Sequence, residues 1–372
     1  MGDVKQTKIF RSPSRYIQGT NIIPELPDYL AGMGDKLLLL LDPGVADILK
    51  PQTDALQARD DYSTDVVVFA GECTMPEIER VGAICKEKGI NAIAGVGGGK
   101  TIDTAKAIAH FNDLTLVIVP TIAASDAPCS ALSIIYHDDG SLDQLLWLKA
   151  NPDLVFVDLA IIAGAPAKYL AVGIGDATAT YFEMKECYAK DADNFTGGRI
   201  TLAAKAIAEE CYKTIIKKGY KAYLANKNHV ITRDFEDVVE ANILLSGVGF
   251  ESGGICAAHP INNGVNELPQ THGHMHGEKV AFCLIAQLVL AQEPDETINE
   301  VLDLFYKVGL PITLEDLDII DIKKEELDLI AMIACGDPCT HNLPLRVDEG
   351  RIIGAVITAD EIGKRFKAAQ EK

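Results

Sequence analysis

The first 160 residues alternate short apolar runs with amphipathic stretches, and this alternation limits the folds that the chain can adopt. The runs that are candidate strands cover residues 36–42, 65–71, 91–97, 114–121, 130–136 and 153–159. Between the early runs lie helical patterns, such as residues 75–89, in which Ile78, Val81 and Cys85 share one face. Strands that are apolar on both faces belong in a parallel sheet with helices on both sides. The pattern predicts a doubly wound α/β domain, which binds nucleotides at the carboxyl ends of its strands.

From about residue 163 onward the periodicity becomes almost entirely helical. The helical stretches cover residues 166–190, 201–220, 234–250, 277–292, 296–310 and 358–370. We therefore predict two domains, an N-terminal α/β domain over residues 1–162 and an all-helical domain over residues 163–372.

A glycine-rich segment follows the third candidate strand. Gly97, Gly98 and Gly99 allow the backbone to approach a ligand closely, and a helix that starts near Lys100 and Thr101 directs free N–H groups at an anion. These features predict a pyrophosphate site. The segment is also close to the P-loop pattern, although alanine stands at the position of the first glycine, so a P-loop NTPase is an alternative interpretation.

Two other segments favour a dinucleotide over a nucleoside triphosphate. Asp42 ends the first candidate strand and can accept hydrogen bonds from an adenosine ribose, which favours NAD over its 2′-phosphorylated form, although it precedes the glycines rather than following them. Thr121, Asp126, Ser130 and Tyr136 follow another strand end and form a candidate ligand-facing loop. Without this context, a role in a turn or as a helix cap would be the favoured interpretation of Asp126.

A segment from residue 259 to residue 279 contains four of the eight histidines. Neutral imidazole is a good ligand for zinc and related metals. We take His259 and His276 as candidate ligands that a loop brings together, with His276 at the start of a helix, and we assign His272 and His274 to the surface. Asp176 lies within an apolar helical stretch, where a carboxylate is costly unless it is paired or bound to a cation, so it is the natural third ligand.

Composition excludes several classes of function. With 34 basic and 54 acidic residues the formal net charge is −20, which argues against partners such as nucleic acid or an acidic membrane surface. No run reaches the length of a membrane span, and the amino terminus lacks an apolar signal core. The nine scattered cysteines indicate reduced thiols in a cytoplasmic protein, and Cys335 and Cys339 resemble a metal or disulfide pair only weakly.

Four motifs together resemble the iron-containing alcohol dehydrogenase superfamily. They are GGGKTIDTAK (97–106), PTIAASDAPCSALS (120–133), GIGDATATYFE (173–183) and HGEKVAF (276–282). The resemblance covers nearly the whole chain, and it is most specific for the branch whose members oxidise glycerol. It implies a Rossmann-like NAD-binding domain followed by an all-helical metal-binding domain, the arrangement of the dehydroquinate synthase-like fold.

The resemblance also assigns roles to individual residues. It implies that Asp176, His259 and His276 bind one zinc ion per subunit, and that Asp126 is the catalytic-site residue facing the polyol and the nicotinamide. Thr180 stands where iron-dependent members have a further histidine. The residues that it implies as NAD contacts are Asp42, Gly98, Gly99, Lys100, Thr121, Ser130, Leu132 and Tyr136. The chain departs from the motifs at two positions, Asn262, where a histidine is common, and Cys283, which replaces a glycine.

The implied activity is NAD-dependent oxidation of glycerol to dihydroxyacetone, and of related 1,2-diols, by a homo-oligomer that is commonly an octamer. Alternatives within the fold are another metal- and NAD-dependent polyol or alcohol dehydrogenase, a dehydroquinate-synthase-like lyase, or a glycerol-1-phosphate dehydrogenase. The last two need several basic residues to hold a phosphate, and the candidate site offers Lys100 and Lys279. A P-loop NTPase or a non-enzymatic nucleotide-binding module would leave the buried Asp176 unexplained.

Overall fold

The computed structural model describes residues 7–371, which form two compact units. The first, called here the sheet unit, comprises Ser12–Ala123 and Ala127–Ala165. The second, the helical unit, comprises residues 7–11, Ala124–Asp126 and residues 166–371. Asp126 therefore belongs to the helical unit, although the strands on either side of it belong to the sheet unit.

The sheet unit contains eight strands within the described part of the chain. They are β1 (Tyr16–Gly19), β2 (Lys36–Leu41), β3 (Ser63–Val68), β4 (Ala92–Gly97), β5 (Thr115–Pro120), β6 (Leu132–Tyr136), β7 (Leu142–Trp147) and β8 (Leu154–Asp158). Six of them form one sheet in the order β1-β8-β5-β4-β2-β3, with every neighbouring pair parallel. The predicted parallel α/β sheet is confirmed.

The strand predicted at residues 130–136 is present as β6, but it does not join the parallel sheet as expected. This strand, β6, lies outside the parallel sheet and pairs antiparallel with β7 in a separate hairpin. Buried and half-buried positions alternate along β6, as expected for a strand with one covered face, whereas β4 is buried at every position. Strand β1 was not predicted, because its four residues are all only half-buried and carry no apolar run.

Helices of the sheet unit follow their strands closely. They are α1 (Leu26–Tyr29), α2 (Pro43–Gln57), α3 (Met75–Lys88), α4 (Gly99–Asn112) and α5 (Leu159–Gly164). The side chain of Asp42 caps α2 by accepting a hydrogen bond from the backbone N–H of Gly44. Because β2, β4 and β5 run parallel, Asp42, Gly97 and Thr121 emerge at the same edge of the sheet. Backbone hydrogen bonds join Asp42 to Val96 at 2.9 Å and Thr121 to Gly97 at 3.1 Å.

The helical unit contains nine α-helices in the part that the structure describes. They are α6 (Ala167–Lys190), α7 (Leu202–Lys227), α8 (Arg233–Glu240), α9 (Ser246–Gly253), α10 (Ala258–Asn266), α11 (His276–Leu290), α12 (Asp295–Val308), α13 (Lys324–Gly336) and α14 (Glu349–Gln370). A π-helical segment, Ala241–Leu245, joins α8 to α9 without a break. The predicted all-helical character of this half is confirmed.

Helices α10 and α13 were not predicted, and the residues after His259 were expected to form a loop. The proline, asparagines and glycine of α10 obscure its periodicity. Pro260 lies in the first turn of α10, where a missing N–H group has little cost, and Ile261 and Val265 form its buried face. No helix among residues 7–371 is both long and apolar enough to cross a membrane.

Candidate active site

Three side chains with metal-binding atoms converge in the helical unit. Asp176 lies on α6, His259 lies in the first turn of α10, and His276 is the first residue of α11. The Nε2 atoms of His259 and His276 are 3.6 Å and 3.4 Å from Oδ1 of Asp176. Exposure of the side chain rises from 1% for Asp176 to 16% for His259 and 47% for His276. The carboxylate therefore lies at the buried end of the cluster, and the cluster is open to solvent on the side of His276.

Close packing of α6 against α11 sets this geometry. A Cβ atom on Gly277 would overlap the carbonyl oxygen of Val172, and one on Gly175 would lie 2.5 Å from the carbonyl oxygen of Gly277. A larger side chain at either position would push the two helices apart. Because Asp176 and His276 are the sequence neighbours of these glycines, the glycine contact directly controls the separation of the two candidate ligands.

The donor set suits a divalent metal ion such as zinc. Oδ1 of Asp176 is buried and has no hydrogen-bond partner among the described residues, although buried polar atoms are normally paired. Adjacent ligands of a tetrahedral zinc ion with bonds of about 2.1 Å lie about 3.4 Å apart. The distances from Oδ1 to the two Nε2 atoms match this separation. No other group of three His, Cys, Asp or Glu residues within 7–371 brings its ligand atoms this close together.

Charge dominates the protonation equilibria of the cluster. Burial opposes protonation of His259, but the carboxylates of Glu183 and Asp176 outweigh it and raise its pKa well above the usual range. Burial likewise opposes ionisation of Asp176, yet His276 and His259 outweigh that effect and lower its pKa. In the protein without metal, a proton on imidazole therefore stabilises the carboxylate, and a bound cation would replace it.

Each imidazole has a different partner on its other ring nitrogen. The Nδ1 atom of His259 lies 2.6 Å from Oε2 of Glu183, a fully buried carboxylate on α6. The Nδ1 atom of His276 lies 3.4 Å from the side-chain amide nitrogen of Asn262. The amide oxygen of Asn262 is buried and has no hydrogen-bond partner within the described residues. One histidine is thus held by a charged group and the other by a neutral amide.

A chain of hydrogen bonds leads from α6 to Asp126. The Thr180 hydroxyl lies 2.8 Å from the Ser246 hydroxyl, which donates to Oδ2 of Asp126 at 3.1 Å. The backbone N–H of Asp126 donates to Oδ2 of Asp176 at 3.4 Å. Ser246 immediately follows the π-helical segment, a feature that frequently occurs at functional sites. The structure thus places Asp126 beside the candidate metal ligands.

The other histidines and the paired cysteines of the sequence analysis lie outside the cluster. The Nε2 atom of His272 contacts the carbonyl oxygen of Asn266, and that of His274 contacts Asp318. Cys335 and Cys339 are free thiols.

The residues predicted to contact NAD all lie in the sheet unit, and three of them, Asp42, Gly98 and Thr121, directly follow the carboxyl ends of β2, β4 and β5. The Asp42 carboxylate accepts hydrogen bonds from Gly44 and, at 3.0 Å, from the Thr101 hydroxyl. Gly98 precedes the first turn of α4, so the free N–H groups of that helix face the strand ends. Lys100 forms an exposed ion pair with Glu72. This edge has the shape and backbone polarity of an anion site.

A buried lysine contacts two of the other residues predicted to bind NAD, Ser130 and Leu132. The Nζ atom of Lys106 donates to the carbonyl oxygens of Ala127 and Leu132, at 2.6 Å and 2.7 Å, and lies 3.3 Å from the Ser130 hydroxyl. The backbone N–H of Tyr136 donates to the Cys73 carbonyl. Lys106, which was not identified from the sequence, therefore fixes the loop that carries Ser130 and the first residue of β6.

Comparison with known proteins agrees with this arrangement. The family model described as iron-containing alcohol dehydrogenase matches residues 13–159. A glycerol dehydrogenase of Escherichia coli O6:H1 is 45% identical over 360 residues, covering 96% of this chain and 98% of that protein. A glycolaldehyde reductase of Halobacterium salinarum is 39% identical, covering 97% of this chain and 99% of its own. The crystal structure of glycerol dehydrogenase from Schizosaccharomyces pombe superposes with a TM-score of 0.92 at 36% identity, covering 98% and 93% of the two chains.

The chain belongs to the iron-containing alcohol dehydrogenase family. It is accordingly an oxidoreductase acting on CH–OH groups, and its high identity to glycerol dehydrogenases confirms the resemblance seen in the sequence motifs.

Three residues at or near the cluster were missed or left without a role. Glu183 was missed, yet the argument that identified Asp176 applies to it as well, since it is an acidic residue in the same apolar helix. Ser246 gave no signal, because a serine near glycines is typical of a helix end. Thr180 is buried and bonded to Ser246, so its hydroxyl is engaged away from the three candidate ligands.

Proposed function

We propose that this alcohol dehydrogenase is an NAD- and zinc-dependent enzyme that oxidises glycerol to dihydroxyacetone, and related 1,2-diols to hydroxyketones. The observation that carries the proposal is the buried Oδ1 atom of Asp176, which lacks a hydrogen-bond partner within the described residues and faces two imidazole nitrogens. The family membership and the glycerol dehydrogenase relatives support the choice of substrate.

The proposed roles divide between the two units. Asp176, His259 and His276 would hold the zinc ion, which acts as a Lewis acid and lowers the pKa of a substrate hydroxyl. In the sheet unit, the N-terminus of α4 and the glycines before it would hold the pyrophosphate, and Asp42 would bind the adenosine ribose. Thr121, Ser130, Leu132 and Tyr136 would complete the contacts to NAD.

Asp126 would orient the polyol. Its carboxylate is positioned by the Ser246 hydroxyl and can accept a hydrogen bond from a second hydroxyl of the substrate. Oxidation transfers a hydride from the C2 carbon of glycerol to NAD⁺ and releases the hydroxyl proton, which leaves a ketone and NADH. A requirement for a second hydroxyl would favour vicinal diols over simple alcohols.

A second candidate is reduction of glycolaldehyde, which the Halobacterium salinarum relative favours. This reaction runs in the reverse direction on a shorter substrate and uses the same residues. Comparing kcat/KM for glycerol, 1,2-propanediol and glycolaldehyde separates the two. A glycolaldehyde value far above both diol values would assign the chain to the second activity.

The first test is NADH formation from glycerol and NAD⁺ after exhaustive chelation, and again after zinc is restored. We expect activity to disappear and to return. His259→Ala should lose zinc and activity while retaining NAD binding, measured by fluorescence titration with NADH. Full activity in that variant would remove the metal assignment, and absence of NADH with every diol tested would remove the substrate class.

We further propose a cytoplasmic homo-oligomer, with an octamer as the expected form. The nine free cysteines support a reducing compartment. Leu142, Leu145 and Trp147 are exposed along β7, and a cluster of exposed apolar side chains supports subunit contact through this strand. Light scattering after size-exclusion chromatography would give the mass, and a monomer at micromolar concentration would contradict the proposal.

A further inference from the structure

We propose that Glu183 is a positioning residue that selects the metal-binding tautomer of His259. The inference rests on the proposed metal site and extends it to a residue that would not touch the metal. Glu183 lies seven residues after Asp176 on α6, almost two full helical turns, so both carboxylates project from the same face of the helix.

The orientation of the Glu183 carboxylate is fixed by the backbone. Its Oε1 atom accepts hydrogen bonds from the N–H groups of Cys256, at 3.0 Å, and His259, at 3.1 Å. These donors lie just before α10 and in its first turn, where backbone N–H groups have no partner within the helix. Because both bonds use Oε1, the other oxygen, Oε2, is left facing the Nδ1 atom of His259.

This arrangement permits one tautomer of a neutral His259. An ionised carboxylate can only accept hydrogen bonds, so the 2.6 Å contact between Oε2 and Nδ1 requires a proton on Nδ1. The Nε2 atom then carries a lone pair, and it is this atom that lies 3.6 Å from Oδ1 of Asp176. A partner on the far nitrogen is the general means by which proteins fix the tautomer of a metal-binding histidine.

Charge balance supports the same assignment. Asp176 and Glu183 place two negative charges in the interior, with side-chain exposures of 1% and 0%. Two such charges are costly unless cations compensate them. One divalent metal ion would balance these two negative charges if both imidazoles were neutral. A neutral His259 and an ionised Glu183 are therefore consistent with a bound metal.

Glu183→Gln separates the role in tautomer selection from a role in folding. The glutamine carbonyl can keep both backbone hydrogen bonds, since turning the amide the other way would leave two N–H donors facing an N–H₂ group. Its amide nitrogen then donates to Nδ1 of His259, which forces the proton onto Nε2. We expect the zinc dissociation constant to rise at least about 100-fold, the upper end of the effect of removing an outer partner.

Zinc affinity is measured by competition with a chromophoric chelator on the full-length protein, independently of activity, and thermal unfolding without metal reports the fold. Glu186→Gln is the matched control, because Glu186 is a largely buried acid on the same helix and pairs with Lys185 instead of His259. It should bind zinc as tightly as the wild type. Failure of the wild type itself to bind zinc would overturn the proposed function rather than only the role of Glu183.

Comparing Glu183→Ala with Glu183→Gln decides between the two roles, because the variants should rank in opposite orders for stability and for zinc affinity. Alanine leaves two backbone donors unpaired, so it should lower the melting temperature more than glutamine does. However, it does not force the wrong tautomer, so it should bind zinc more tightly than Glu183→Gln. The proposal is overturned if zinc affinity instead follows stability, or if Glu183→Gln binds zinc like the wild type. Should the alanine variant not fold, the comparison of Glu183→Gln with Glu186→Gln decides alone.

Discussion

The candidate metal cluster in the helical unit and the glycine edge of the sheet unit, residues 97–99 at the end of β4, offer opposite kinds of binding groups. At the cluster the chemistry resides in side chains, and each ligand or partner is a specific acid, imidazole or amide. At the edge it resides largely in backbone N–H groups, and the side chains mainly keep the approach open. The cluster should therefore be sensitive to chemical identity even when size is conserved, whereas the edge should be sensitive to size.

The largest effect on activity is expected from a substitution in the metal cluster that keeps the size of the side chain. Asp176→Asn replaces a buried carboxylate with a neutral amide and removes the negative charge that offsets the cation. Loss of Lewis-acid catalysis is worth several kcal/mol, so kcat should fall by about 1000-fold or more. Metal analysis and steady-state kinetics measure this, with NADH titration as the control. An equal loss of NADH affinity would break the contrast between the two regions.

At the glycine edge, the addition of a single methyl group should be enough to lower both stability and NAD affinity. A Cβ atom on Gly97 would lie 2.7 Å from both Cβ of Asp42 and Oγ1 of Thr101. Gly97→Ala should destabilise the sheet unit by about 1–3 kcal/mol, the usual cost of overpacking, and weaken NAD binding. Denaturant unfolding and NADH titration measure the two effects, while zinc affinity should not change.

Gly99→Ala tests the effect on NAD binding separately from the effect on stability. Apart from the neighbouring residues and the backbone of α4 itself, no described atom lies within 4 Å of a Cβ atom at Gly99, so the methyl group has free space until a ligand binds. We expect stability to be retained and NAD affinity to fall. Unchanged affinity for NADH would show that this glycine is not needed for close approach of the pyrophosphate.

A smaller effect is expected from Ser246→Ala. The variant removes the hydroxyl that joins Thr180 to Asp126 and leaves the Asp126 carboxylate less firmly oriented. Stability should fall by about 1 kcal/mol, as is typical for a lost hydrogen bond. KM for glycerol should rise several-fold while zinc affinity and KM for NAD stay constant. A drop in zinc content would show that Ser246 supports the ligands themselves and not the polyol contact.

The smallest effect on stability is expected from Lys100→Ala. The ion pair with Glu72 joins side chains that are 60% and 34% exposed, and such pairs contribute about 0–1 kcal/mol. If Lys100 interacts with the pyrophosphate, KM for NAD should rise, and more at low ionic strength than at high. A salt-independent KM would assign Lys100 to the surface alone.

Much of the fold and most of the candidate residues could be predicted from the sequence, because their signals are local. The apolar runs of β2, β4 and β5 predict a buried parallel sheet, an aspartate in an apolar helical stretch identifies Asp176, and the group of histidines identifies His259 and His276. Glu183, an acid in the same apolar helix as Asp176, carried the same local signal, but its partner His259 lies at the start of α10, a helix whose periodicity is obscured, so its role was not recognised. The pairing of β6 was missed for a related reason, since a short apolar run does not specify its partner strand.

The π-helical segment before Ser246 has a consequence for how this enzyme can diversify. One additional residue in a helical turn rotates everything that follows by about 100° around the axis. Deleting a single residue from Ala241–Leu245 would restore a regular α-helix and turn the Ser246 hydroxyl away from Asp126, without altering any residue of the cluster. In this part of the molecule a one-residue insertion or deletion can therefore reorient the partner of Asp126 while every residue of the candidate metal site is kept.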